Sequence, residues 1–193
     1  MNTPISVGIL LFPDVEELDF AGPYEVFANA SNQQKEPYCH VTTIGLAEEI
    51  RCRGGLRVRV DALLEECPPL DVLIVPGGPY AHNNFHNERI ATLIRQQRKR
   101  ATTIASVCTG AFFLAFAGLL DHQRATTHPS SRERLQQDYP QIEVVAEKVV
   151  DLGSIVTTGG VSSGIDLALH FLERWFGAEA RQREARRLDG PWH

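Results

Sequence analysis

The residues best placed to do chemistry lie in the segment TTIASVCTGAFFLAFAG, Thr103 to Gly118. A β-branched run, Thr103 to Val107, passes directly into an apolar helical pattern, Gly110 to Ala117, and Cys108 falls at the junction. Ser106 stands two residues before it and Gly110 two after. A nucleophile on a sharp strand-to-helix turn needs small residues at those two places, because the two backbones nearly touch there. Such a turn pushes the side chain out at the carboxyl edge of the sheet, where open α/β sheets place ligands. It also sets the sulfur at a helix N-terminus, whose free N–H groups and partial positive charge favour the thiolate. The thiol is therefore expected to ionise below its ordinary value, in the range ~3.5–7.5. The N–H of Thr109 is a ready donor to a developing oxyanion. The plainer alternative is an inert buried Cys at the start of a core helix; the small flanking residues favour the elbow.

A second element is Pro76-Gly77-Gly78-Pro79, which ends an apolar run. Two glycines at a strand end present bare N–H groups that a ligand can approach closely. Taken alone the segment is a tight turn; beside the Cys108 turn it supplies the other half of an anion hole. Asp19, in ELDFAGP, follows the first apolar run and precedes a helix. A carboxyl beside a sulfur is raised in pKa by burial and like charge, so it can hold and donate a proton. The alternative is a helix-start acid and nothing more, and Glu16 and Glu17 are competitors set in an acidic, solvent-like run. His128, in ATTHP, stands between a β-like run and a helix, where it either pairs with Cys108 or is an ordinary loop residue. His82 and His86 have i, i+4 spacing but no evident third metal ligand, so they read as surface-loop residues. His40 and His170 fall in expected core elements.

These groups must be held by the elements around them. Short apolar runs alternate with helical patterns, the mark of an α/β fold with a largely parallel sheet. Ile5 to Phe12 is apolar almost throughout, as a strand covered on both faces should be. Gly22-Pro23 is expected to open a helix reaching Asn29, with Pro in the first turn. His40 to Ile44 and Val72 to Val75 read as strands, and Arg51 to Asp61 as a hairpin around Gly54-Gly55. Glu88 to Lys99 is an amphipathic helix. Ser130-Ser131 is placed to cap a helix reaching Asp138. Glu143 to Asp151 and Ser154 to Thr157 are β-like. Ser162 or Ser163 caps a long helix ended by Gly177, and a charged helix, Ala178 to Arg187, follows. With 193 residues, no repeat and no linker, residues 1–193 are expected to form one domain.

Composition excludes several classes. The 19 basic and 24 acidic residues leave a net charge of −5, which is no footprint for nucleic acid or an anionic membrane. No apolar run approaches the ~18 residues of a membrane span. The first residues, MNTPISVGILLFPDVEELD, lack the basic start of a secretory signal. Four cysteines without a CxxC pair then read as reduced thiols of a cytoplasmic protein.

Five segments in order resemble the ThiJ/PfpI superfamily, whose fold resembles the class I glutamine amidotransferase domain: LDFAGPYEVF, VLIVPGG, IASVCTGAFFLAFAGLLD, RATTH and TTGGVSSGIDLALHFLE. The resemblance spans essentially the whole chain and implies a flavodoxin-like three-layer α/β sandwich with a mostly parallel central sheet. The SVCTGA and TTGGVSSGIDLAL wording is similar to isonitrile hydratases and to the sensor half of AraC-type regulators. The first of these implies Cys108 as nucleophile, Thr109 as its neighbour in the site, Asp19 as acidic partner and Gly78 as an anion-hole amide. Membership of the superfamily also implies a homodimer that needs no cofactor, and the lack of a third ligand beside His82 and His86 leaves no metal expected. Two departures matter. PfpI-type peptidases carry His directly after the nucleophile, where this chain has Thr109, which argues against proteolysis. AraC-type regulators continue into a helix-turn-helix region, whereas only one short charged helix follows Gly177 here, which argues against direct DNA binding. Pro129 also follows His128 where a bulky aromatic is expected.

The reading that follows is hydration of a small carbon electrophile, most simply an isonitrile to an N-substituted formamide, with Asp19 as proton donor and then water activator. Its rivals are a ligand- or redox-sensing protein without catalysis, since a reactive Cys oxidises readily, and glyoxalase or deglycase-like chemistry on α-oxoaldehydes. The apolar runs Ile165 to Phe176 and Ala111 to Leu120 exceed one helix stripe; both are expected to be core, with part of either surface open to a dimer seam.

Overall fold

The computed structural model describes residues 3–100 and 102–192. In chain order, β1 (Ile5–Leu11), α1 (Glu17–Asn29) and β2 (Cys39–Gly45) form the first parallel unit. A small antiparallel hairpin, β3 (Glu49–Arg51) and β4 (Arg57–Arg59), precedes the short β5 (Ala62–Leu63). Then come β6 (Val72–Val75), α2 (Pro79–Asn83), α3 (Glu88–Lys99), β7 (Thr103–Ser106) and α4 (Ala111–Phe116). The last third holds β8 (Arg124–Ala125), α5 (Arg132–Asp138), β9 (Glu143–Val144), β10 (Val149–Asp151), β11 (Ile155–Thr158), α6 (Ser163–Phe176) and α7 (Ala178–Leu188).

Among the described residues, seven strands make one sheet in the order β10-β11-β7-β6-β1-β2-β5. Its pairings are parallel except for β10 with β11. Helices flank it, with α1, α6 and α7 packed together and α3 packed on α4 and β7. This is the α/β architecture with a mostly parallel central sheet that the apolar runs imply. β6 is buried at every residue and β1 from Val7 onward, which is why both read as unbroken apolar stretches. No helix among the described residues is long and apolar enough to cross a membrane.

The strand order positions the site. From β1 the chain crosses to β2 on one side, and it later returns to β6 on the other. A crevice opens at the carboxyl ends of strands where the winding reverses in this way. Here those ends are the loop 12–16 after β1, the turn 76–78 after β6 and residues 107–109 after β7. Glu16 N–H donates to Gly77 O at 3.0 Å and Val107 N–H to Val75 O at 3.0 Å, so the three segments are stitched together.

Several local expectations are corrected. The first helix opens at Glu17, five residues before Gly22, and carries Pro23 in its interior. Pro23 cannot donate to the Asp19 carbonyl one turn earlier. Tertiary packing overrides that loss, because α6 lies close against α1 at two glycines. A Cβ on Gly164 would stand 3.2 Å from Asp19 O, and one on Gly22 3.0 Å from Ile165 Cγ1. Ser131 and Ser162 occupy N-cap positions without side-chain capping bonds; instead the His128 ring accepts the Ser130 N–H. His40 is exposed on β2 rather than a core residue. His170 is half-buried and bonds Asp151 at 2.7 Å. The two long apolar runs are core as expected, with Phe112, Phe113, Leu114 and Leu120 wholly buried, as are Leu167, Phe171 and Leu172 of α6. Among the described residues, the large apolar side chains that are exposed are Leu18 and Tyr24 on α1 and Leu56 at the hairpin tip.

Candidate active site

Cys108 opens a 3₁₀ turn, Cys108–Gly110, and has φ +55°. That left-handed conformation costs a residue with a Cβ about 1–2 kcal/mol, so the surroundings must impose it. Gly110 is the means. A Cβ there would lie 2.1 Å from Val75 O and 2.8 Å from Pro76 O. The start of the helix is pressed against the end of β6 and the chain has no slack in which to relax. Thr127 Oγ1 donates to Cys108 O at 2.8 Å, tying the His128 loop to the same turn.

The turn after β6 meets Cys108 through Thr109 and Asp19. Thr109 Oγ1 accepts the Gly78 N–H at 2.9 Å and returns a bond to Gly78 O at 3.2 Å. Gly77 N–H donates to Asp19 Oδ2 at 2.9 Å. A Cβ on Gly77 would stand 2.6 Å from both Thr109 N and Oγ1 and 2.8 Å from Asp19 Oδ2, so only glycine lets the three segments close. Gly78 has φ +135°, and a Cβ there would lie 2.5 Å from Asp14 O. The Gly77 and Gly78 amides, expected to face a ligand, are thus engaged in building the site.

Asp19 has no exposed surface, and its Oδ1 has no hydrogen bond of ordinary geometry. Burial pushes the carboxyl up to about 7; the Gly77 N–H pulls the other way, and the Glu16 charge adds to the rise. Burial, then the Asp19 charge, push the Cys108 thiol up to about 12, against the pull of the Thr109 N–H. The expected lowering of the thiol is therefore corrected. The helix behind the sulfur has only six residues, and its neighbour is an acid. Groups coupled this closely titrate as a pair. Between about 7 and about 12 the pair holds one proton.

The sulfur faces a cleft of about 310 Å³. Cys108, Thr109, Gly78 and Pro79 line one part; His82, His128, Ser130, Ser131 and Val161 line another. His128 Nδ1 lies 2.8 Å from Ser130 Oγ and accepts the Ser130 N–H at 3.3 Å. Glu16 and Arg53 complete the wall as an ion pair at 2.5 Å, and the Arg53 charge acts to lower the Asp19 carboxyl. A roomier groove of about 420 Å³ between Leu64 and α3 is far from this chemistry and presents the Arg89–Glu65 ion pair.

The structure thus brings together Cys108, Thr109, Asp19, Gly77, Gly78 and His128. Sequence reasoning missed three wall residues. His82, read as a surface-loop residue, is half-buried with its ring 5.6 Å from that of Phe112. Glu16, read as solvent-like, is held by Arg53, which arrives from a hairpin 37 residues away. The one available signal was His82's place four residues after Gly78, a single turn into α2, where its N–H donates to Gly78 O at 3.1 Å. His86 points elsewhere, with its ring 4.1 Å from that of Phe85. Among the described residues no three His, Cys, Asp or Glu side chains converge on a metal position.

The DJ-1/PfpI family matches residues 5–174. This chain belongs to that family. Its relatives include isonitrile hydratase of Pseudomonas putida, 36% identical over 180 residues that cover 92% of this chain and 75% of the relative. The HTH-type transcriptional regulator GbdR of Pseudomonas aeruginosa is 26% identical over 92% of this chain, which spans only 48% of that regulator. Among solved structures, DJ-1beta of Drosophila melanogaster superposes with a TM-score of 0.84 at 26% identity, covering 96% of this chain and 98% of the other. The DJ-1/PfpI family therefore includes an enzyme and a regulator that share this scaffold, and the site must be read from its own residues.

Proposed function

We propose that this member of the DJ-1/PfpI family is a cysteine-dependent hydratase of a small carbon electrophile, an isonitrile giving an N-substituted formamide. The carrying observation is the buried Asp19 carboxyl, anchored by the Gly77 N–H and in contact with a nucleophile held at positive φ. The likeness to isonitrile hydratase supports it. The pair's one proton moves from sulfur to carboxyl as the thiolate attacks the terminal carbon. Asp19 then delivers that proton to the same carbon, leaving a thioimidate. Cys suits both halves, since it attacks well and leaves well. Thr109 supplies its N–H to charge developing at the reacting centre. Gly77 and Gly78 act through the side chains they hold, and His128 faces the substrate from the opposite wall. No cofactor enters this chemistry. The test is incubation with cyclohexyl isocyanide and mass-spectrometric detection of the formamide. Turnover is expected from the native protein and none from Cys108→Ala; no turnover, or full turnover in the variant, defeats the reading.

A second reading, a ligand or redox sensor, is favoured by the likeness to a transcriptional regulator. Stable, selective oxidation of Cys108 by mild peroxide, with no electrophile turned over, would decide for it. We also infer a homodimer through the face that holds Leu18 and Leu56. The two elements are joined by Glu17 Oε1 accepting the Gly54 N–H at 2.6 Å. Light scattering should show a dimer that Leu56→Asp dissociates.

A further inference from the structure

Asp19 is wholly buried behind the Cys108 turn and lines no part of the cleft. A water attacking a covalent adduct on Cys108 comes from the cleft, so the groups that line it are the nearest candidates to activate it. Two imidazoles do line that space, and both turn Nδ1 toward serines of one 3₁₀ turn, Pro129–Ser131. They are not equivalent. His128 Nδ1 accepts the Ser130 N–H, so neutral His128 carries its proton on Nε2 and serves as a donor. His82 Nδ1 lies 3.4 Å from Ser131 Oγ, an oxygen able to accept, and His82 Nε2 has no protein partner among the described residues. With the proton on Nδ1, the Nε2 lone pair is free for the cleft.

We propose that His82 is the general base of the hydrolytic half-reaction, with Ser131 setting its tautomer; this rests on the hydratase reading above. As water attacks the thioimidate carbon, one O–H proton passes to Nε2 and the C=N electron pair moves to nitrogen. The imidazolium returns that proton to the nitrogen. The intermediate then collapses: C=O forms, C–S breaks, and the hydroxyl proton passes through His82 to the departing sulfur. Water's two protons end on nitrogen and sulfur, leaving formamide and free thiol. Arg134 and Asp138 of α5 act on the ring by their charge, and Cys108, His128 and the Glu16–Arg53 pair share its cleft. Burial, then the Arg134 charge, hold the imidazole below its usual range, so it is unprotonated and competent near neutral pH.

The test is single-turnover reaction with cyclohexyl isocyanide, quenched and read by intact mass, on the native protein, His82→Gln and Ser131→Ala. His82→Gln should form the Cys108 adduct normally and release it roughly 100-fold more slowly, so that the adduct accumulates. It should also lose the acidic limb of the kcat profile, and added imidazole should restore part of the rate to His82→Gly. Ser131→Ala should accumulate adduct to a lesser degree. Native turnover matched by His82→Gln, or a His82→Gln protein of native fold that forms no adduct, overturns the base assignment alone. A native protein that forms neither adduct nor formamide overturns the hydratase reading and this one with it.

Discussion

Asp19 Oδ2 accepts the Gly77 N–H at 2.9 Å, so the buried carboxyl is anchored by the turn after β6 while its other oxygen is left toward the sulfur side. This has a measurable consequence in stability. The folded carboxyl ionises at about 7 against an ordinary 3.8. Between those values the folded state holds a proton that the unfolded chain has lost, so stability falls as pH rises through that window. The full loss is about 4 kcal/mol. Asp19→Asn keeps an acceptor for Gly77 and removes the charge. Urea unfolding should show the variant more stable than the parent at pH 8 and nearly equal at pH 4, with activity abolished. Equal stabilities at both pH values would mean that the carboxyl is not raised.

Cys108 at φ +55° predicts an inversion of the usual glycine penalty. In regular structure, Gly is less stable than Ala by roughly 0.5–1 kcal/mol. Here the strain of a Cβ in the left-handed region is of similar or larger size. Of two inactive variants, Cys108→Gly should therefore unfold at equal or higher urea concentration than Cys108→Ala. A clear deficit for the glycine variant would remove the argument from backbone strain.

Gly110→Ala is expected to damage the fold more than the chemistry alone would suggest. Its Cβ meets backbone oxygen at 2.1 Å, and backbone cannot rotate away. A loss of about 3 kcal/mol is expected, together with lost alkylation of Cys108. Gly77→Ala meets the Thr109 side chain and backbone at 2.6 Å and should cost less stability while still disabling the site. Thermal melts and iodoacetamide labelling separate the two effects.

Arg53, on the cleft wall, pairs with Glu16, and its charge acts to lower the Asp19 carboxyl. Arg53→Met leaves the Glu16 charge uncompensated beside Asp19, so Asp19 should hold its proton more tightly and be less able to take the proton of Cys108. Alkylation of Cys108 at pH 7.5 should slow a few-fold, and the difference should shrink in high salt as exposed charges are screened. A faster reaction in the variant would show that Arg53 acts by blocking access.

Much of the architecture was legible because its causes are local. The α3 helix spans Glu88 to Lys99, where its apolar spacing places it, and its N-cap Asn87 accepts two amides of the first turn. β6 and β7 are read from short apolar runs bounded by turn residues, and the Cys108 elbow from Ser106 and Gly110. The start of α1 was not legible. Pro23 is a local signal for a helix start, but the packing of α6 against Gly22 is a long-range fact that outweighs it.

The site divides along the same line. The chain itself determined that a Cys would stand on a bend, that two glycines would end a neighbouring strand and that an acid would follow the first strand. Those are properties of residue type and spacing over a few positions. Only the tertiary structure decided that Asp19 would lie sealed against the thiol, that Arg53 would reach Glu16 and that His82 would face the same cleft as Cys108. It also reversed the direction of the thiol's titration. Solvation and charge act through space, and the distances that set them exist only once the sheet has brought its strand ends together.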